Sequence, residues 1–113
     1  AVVELDSTLK NIFMEETSDV SIKRYYIYIL FSLKDKKLYI GFTTDLKARL
    51  TNHAHGRVRA TMFRRPLRLI YYEYFINQKD AKSRERFLKS GFGRSQSKQA
   101  LKETLVEYSY LKN

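Results

Sequence analysis

The chain has 113 residues, 43% of them hydrophobic, with nine tyrosines and seven phenylalanines: enough for one compact domain and too little for a second. Its 22 basic and 12 acidic side chains leave a net charge of +10. The absence of cysteine excludes a disulfide framework, a thiol nucleophile and sulfur-rich zinc sites, and His53 and His55 as sole imidazoles argue against structural zinc.

Residues 1–22 hold five acids (Glu4, Asp6, Glu15, Glu16, Asp19) against Lys10 and show no sustained strand pattern. Leu5, Leu9, Ile12 and Phe13 recur at helical spacing, so this segment reads as a short amphipathic helix or as an appended arm or extension. It lacks the basic-then-apolar pattern of a secretory signal, and no apolar run reaches the roughly 18–20 residues of a membrane span. An intracellular, cytoplasmic protein is the expectation. Residues 23–113 then carry 21 basic and 7 acidic side chains, an excess of fourteen positive charges (22 less Lys10, 12 less five acids). A folded unit so positive calls for a polyanion, and nucleic acid is the commonest one; an anionic membrane is the rival, but no basic helix with an open apolar face stands out.

From Arg24 the pattern sharpens. Tyr25–Ser32 and Leu38–Thr43 are rich in aromatic and β-branched residues, and polar Lys34-Asp35-Lys36-Lys37 between them predicts a β-hairpin. Both faces of the first strand are apolar, so it should be covered on both sides. Thr43 or Thr44 is predicted to cap a helix from Asp45 to Ala54. An arginine-rich connection over 55–66 ends at Pro66, and Leu67–Ile76 reads as a third strand. A second helix is predicted from Asp80 to Ser90, stopped by Gly91 and Gly93, and a third capped by Ser95 with Leu101, Leu105 and Tyr108 at core spacing. The fold class is therefore α+β: a small three-stranded antiparallel sheet flanked by helices, in the order ββαβαα.

Two charges fall where apolar side chains belong. Leu46, Arg49, Leu50 and His53 share one helical stripe, and Ala81, Arg84, Glu85 and Leu88 share another. Arg49 could snorkel to the surface, and Glu85 could pair with Arg84, Arg86 or Lys89 as an ordinary helix charge; alternatively, both line a concave site beside the sheet. Tyr71, Tyr72 and Tyr74 read as strand formers, whereas the hairpin can bring Tyr26 or Tyr28 beside Tyr39.

Tyr26-Ile27-Tyr28 followed by Tyr39-Ile40-Gly41 resembles the paired motif of the GIY-YIG nucleases. The similarity continues through Arg49, ten residues past Tyr39, to His53 and on to Glu85, spanning roughly residues 24–100 and looking closest to short single-domain bacterial members. It implies a nuclease domain over 23–113 that hydrolyses DNA phosphodiester bonds. In that family the tyrosine matching Tyr28 is the favoured general base, with Tyr39 beside it. Arg49 would clamp the scissile phosphate and His53 would bind phosphate or relay a proton. Glu85 would hold Mg²⁺ or Mn²⁺. The departures are Tyr26 in place of the first glycine, Phe42 where some members carry lysine, and no asparagine past the glutamate, where Ser95, Gln96 and Ser97 lie nearest.

No acid occurs between Asp45 and Glu73, while Arg57, Arg59, Arg64, Arg65 and Arg68 do, so residues 55–68 read as a loop that follows a sugar–phosphate backbone. Aromatic residues among these arginines could stack on unpaired bases, which suits single-stranded or branched DNA. The competing readings are a non-catalytic DNA or RNA binder on the same scaffold and a small RNA-binding or assembly protein whose tyrosines are core.

Overall fold

The computed structural model describes residues 23–111; the predicted N-terminal helix or arm lies outside them. Three strands, β1 (Tyr25–Ser32), β2 (Leu38–Thr43) and β3 (Leu67–Phe75), form one antiparallel sheet in the order β2-β1-β3. The helices are α1 (Leu46–Ala54) between β2 and β3, then α2 (Gln78–Lys89), α3 (Gly91–Ala100) and α4 (Lys102–Ser109). The expected α+β class and three-stranded sheet are thus observed, with four helices among the described residues.

The central position of β1 follows from its composition. A strand apolar on both faces is stable only between two layers, and six of its eight residues are buried. Ile27, Ile29 and Phe31 face α2, where Leu38, Ile40, Ala81 and Leu88 complete a core. Tyr28 and Leu30 point to the opposite face, beneath α1 and the connection that follows it. The hairpin turn is closed by the Ser32 N–H bond to the Lys37 carbonyl, with Lys36 at φ 61. β3 carries one extra residue, Ile70, because Ile29 pairs with Tyr71 while Leu30 pairs with Leu69.

Three sequence expectations are corrected. The cap of α1 is Asp45, not Thr43 or Thr44: its extended backbone lets the carboxylate accept from Ala48 N–H, while Thr43 Oγ1 accepts from Asp45 N–H. α2 starts two residues early, at Gln78, because the Asn77 side chain accepts from the Lys79 and Asp80 N–H groups. Ser90, not Ser95, opens α3, and its hydroxyl serves both helices, donating to the Phe87 carbonyl and accepting from Gly93 N–H. Gly91 and Gly93 therefore begin a helix. A side chain at Gly93 would strike the Phe87 carbonyl, so the tight junction depends on that glycine. The chain bends again at Leu101, which with Leu105 and Tyr108 packs against the core.

Candidate active site

The site-bearing half of the sheet is built around Tyr28, which is fully buried. Its register partner on β2 is Gly41, and a Cβ there would fall inside the van der Waals envelope of the phenol Cζ and Oη. Glycine at this position is what lets the ring lie flat across the neighbouring strand. Tyr39, two residues earlier on β2 and so on the same face, has its ring 6.3 Å from that of Tyr28.

α1 delivers the other two groups. Its stripe brings Arg49 and His53 over the tyrosines, with His53 only 2% exposed. The Tyr28 hydroxyl lies 2.7 Å from His53 Nε2, and Arg49 Nε donates to the same oxygen at 3.4 Å. On the far side of the imidazole, Nδ1 is 2.7 Å from Thr61 Oγ1, itself fully buried. Tyr28, His53 and Thr61 form one line of hydrogen bonds, and Tyr39 meets the imidazole edge-on at 5.3 Å. In the sequence Thr61 reads only as part of the backbone-following 55–68 stretch, since a neutral hydroxyl has neither period nor charge to mark it as the partner of His53.

Electrostatics fix the protonation states. Burial, followed by the nearby Arg49 charge, pushes His53 from its ordinary 6.5 down to about 4, so the ring is neutral at pH 7. Burial also pushes the Tyr28 phenol above its ordinary 10, against the opposing bond from Arg49, so Tyr28 holds its proton. A protonated phenol donates to Nε2, which places the imidazole proton on Nδ1, pointing at Thr61. Arg49 is held charged most strongly by its bond to Tyr28.

His53 makes the fold sensitive to acid. The unfolded chain protonates its histidine near 6.5 and the folded one near 4, so the stability from the neutral ring is fully present above pH 6.5 and is lost as pH falls to 4. That difference is on the order of 3 kcal/mol. Urea titrations at pH 7.5 and 4.5 should show it, and a His53→Leu chain should show a flatter profile over the same window.

Glu85 lies on α2 and bonds none of Tyr28, Arg49 and His53; what links it to the site is its charge, felt at Tyr28. Its carboxylate is mostly covered, with side-chain exposure of 14%, and bonds to Lys89 Nζ at 2.9 Å and Lys82 Nζ at 3.4 Å. Burial raises its pKa, but the two ammonium groups outweigh this and hold it below its ordinary value. Its negative charge is felt at Tyr28, where it opposes ionisation. Arg84, an alternative partner in the sequence reading, bonds Glu73 at 2.6 Å instead, and Arg86 bonds Ser83. The Lys82 ammonium also sits 3.9 Å over the Phe42 ring, so a lysine from α2 approaches the strand position that has none of its own. Gln96 and Ser97 line a cavity with Ile29, Tyr71 and Arg84 on the helix-covered face.

No three His, Asp or Glu side chains gather to hold a metal among the described residues. A single carboxylate fits a hard divalent cation of the Mg²⁺ kind, which keeps several waters and takes its remaining oxygens from substrate phosphate.

The arginines of the 55–68 stretch divide into two sets. Arg57 bonds Asn52 Oδ1, and Arg59 is exposed. Arg64 is an internal fastener: it pairs with Asp35 at 2.6 Å and donates to the Lys37 and Leu38 carbonyls. Arg65 donates to the Met62 and Ala54 carbonyls, and its guanidinium lies where a Cβ at Gly56 would stand, a position whose φ of +73 also favours glycine. Arg68 is exposed on β3. Val58 and Thr61 are buried, so this stretch is a packed cover and not a loose loop.

Residues 24–99 match the family profile described as the GIY-YIG catalytic domain. Similar proteins include UPF0213 proteins of Streptococcus pyogenes serotypes M5 (strain Manfredo) and M4 (strain MGAS10750), each 42% identical over 78 residues, covering 68% of this chain and 84% of theirs. The solution NMR structure of the UPF0213 protein BH0048 from Bacillus halodurans is 31% identical, covers 76% of this chain and 90% of its own, and superposes with a TM-score of 0.47. No helix among the described residues is long and apolar enough to cross a membrane.

Proposed function

The chain belongs to the GIY-YIG catalytic-domain family, and from that premise we propose that it is a metal-dependent endonuclease that hydrolyses DNA phosphodiester bonds. One observation carries the reading: the Tyr28 oxygen lies between a neutral imidazole acceptor at 2.7 Å and a fixed guanidinium at 3.4 Å. A tyrosine placed only for packing needs neither. The high positive charge and the acid-free stretch around Arg57 and Arg59 favour a polyanionic substrate.

In this reading the Arg49 guanidinium holds the scissile phosphate. Tyr28 takes a proton from the attacking water while passing its own to His53 Nε2; the water oxygen bonds phosphorus and the bond to the 3′ oxygen breaks. The relay avoids a free phenolate, which the raised pKa of Tyr28 disfavours. The depressed basicity of His53 is relieved at the same moment, because a phosphate against Arg49 neutralises one of the two causes that lower it. Thr61 keeps the Nδ1–H bonded, so that Nε2 stays the acceptor. A divalent cation on Glu85 would supply positive charge to the phosphate and to the departing oxygen.

The test is nicking of supercoiled plasmid and labelled oligonucleotides with Mg²⁺, with Mn²⁺ and with EDTA. Cleavage is expected with either metal and none with chelator. Tyr28→Phe, which removes one hydroxyl and keeps the ring, should lower the rate by about 10²-fold or more. A purified, metal-supplemented wild-type protein that cuts no DNA form defeats the proposal.

A further inference from the structure

Phe63 is 76% exposed. Exposed aromatics are common singly, and the others here have local company or lie at chain ends: Phe92 meets Phe87 edge-on, and Tyr110 follows the last helix. Phe63 differs in being held out rigidly. On one side Thr61 is bonded to His53. On the other, Arg64 is paired with Asp35 in the hairpin turn, its carbonyl accepts from Ser32 Oγ at 2.6 Å, and Leu33 N–H donates to the Pro66 carbonyl at 2.9 Å. A segment fastened at both ends cannot fold Phe63 back into the core.

The ring lines an open groove together with apolar Met62, Pro66 and Leu67 and the cations Lys34, Arg65 and Arg68. Among the described residues no carboxylate pairs with any of the three cations. The groove adjoins the candidate active site through consecutive residues, since Ala54 follows His53 and Met62 follows Thr61, and both line it. A flat apolar face set among uncompensated cations matches a nucleotide, whose base offers a π-face and whose phosphates offer charge. In a duplex both faces of each base are already stacked, so the ring can be used only by an unpaired one.

We propose that this groove holds an unpaired nucleotide of a DNA strand, its base stacked on Phe63 and its flanking phosphates against Lys34, Arg65 and Arg68. The protein thereby engages DNA where duplex gives way to single strand. The proposal takes its ligand class from the nucleic-acid reading above but does not need cleavage.

Fluorescence anisotropy of the full chain in EDTA tests it, with a single-stranded oligonucleotide, a flapped duplex and a blunt duplex. Wild type should bind the first two about tenfold more tightly than the third. Phe63→Ala should lose that margin without weakening blunt-duplex binding, and Phe63→Trp should restore it. Equal binding of the single strand by Phe63→Ala and wild type overturns the proposal, as does an equal loss on all three DNAs. A dimer in sedimentation that becomes monomeric in Phe63→Ala overturns it too, by showing that a second copy covers the ring. Cleavage without any Phe63 effect refutes the groove alone; a Phe63 effect without cleavage refutes the nuclease alone.

Discussion

Replacing Arg49 by alanine should reduce DNA cleavage by about 10²- to 10³-fold while DNA binding persists. Arg49 is one of many cations available for affinity, but its Nε is the one that bonds the Tyr28 oxygen among the described residues. The same substitution removes a named cause of the low His53 pKa, so an NMR titration should find His53 moving up from about 4 toward its ordinary value. A general loss of structure would carry His53 all the way to its unfolded value, so the shift counts only where the amide spectrum keeps its native dispersion, since burial, the larger cause, must remain. Glu85→Gln makes the complementary cut. It keeps the size of the side chain and removes its charge, and since the pairs with Lys82 and Lys89 are short-range helix pairs of about 0.3–0.5 kcal/mol, thermal stability should change little. Metal-supported cleavage should vanish, and Mn²⁺ binding measured without DNA should weaken. Full activity in either variant would remove that residue from the mechanism.

Gly41→Ala should cost about 1–3 kcal/mol of stability and at the same time lower activity as far as Tyr28→Phe does. The added methyl has no room, because the Tyr28 phenol already occupies its place. Either the sheet opens locally or the ring swings away from His53, and both outcomes break the 2.7 Å bond on which the proton relay depends. A double-mutant cycle with Tyr28→Leu separates this contact from a general intolerance of β2 to alanine. If the clash is with the phenol, the alanine should become nearly harmless in the leucine background, leaving a coupling energy of about 1 kcal/mol or more. Additive effects would mean that Gly41 is needed for a reason unrelated to Tyr28.

Much of this was legible in the chain because the signals are local. Tyr25–Ser32 announces a strand covered on both faces, and it is the centre of the sheet. Arg49 and His53 were marked by lying on the stripe of Leu46 and Leu50, and the structure turns that stripe onto Tyr28. Glu85 was marked likewise, beside Ala81 and Leu88, and is mostly covered. Periodicity reports which face a residue takes, and that is enough to flag a charge on a buried face.

Partners across the fold were not legible. Arg64 was read as a phosphate contact, but it meets Asp35, 29 residues away, and fastens the cover over the site. Arg84 meets Glu73 and not its helix neighbour. Caps shifted by a few residues at Asp45, Asn77 and Ser90, because several short polar side chains stood close to each end and only backbone geometry chose among them.

Composition and pattern alone thus determined a single basic α+β domain, its three strands and the misplaced charges, since these depend on side-chain chemistry and on spacing along the chain. Tertiary structure alone decided what Tyr28 touches. The phenol lies over Gly41 of the next strand, against His53 from α1, with Thr61 behind the imidazole. These four positions are 8 to 25 residues from their partners in sequence. Only the pairing register of β1 with β2 and the docking of α1 on that face convert such separations into hydrogen-bond distances.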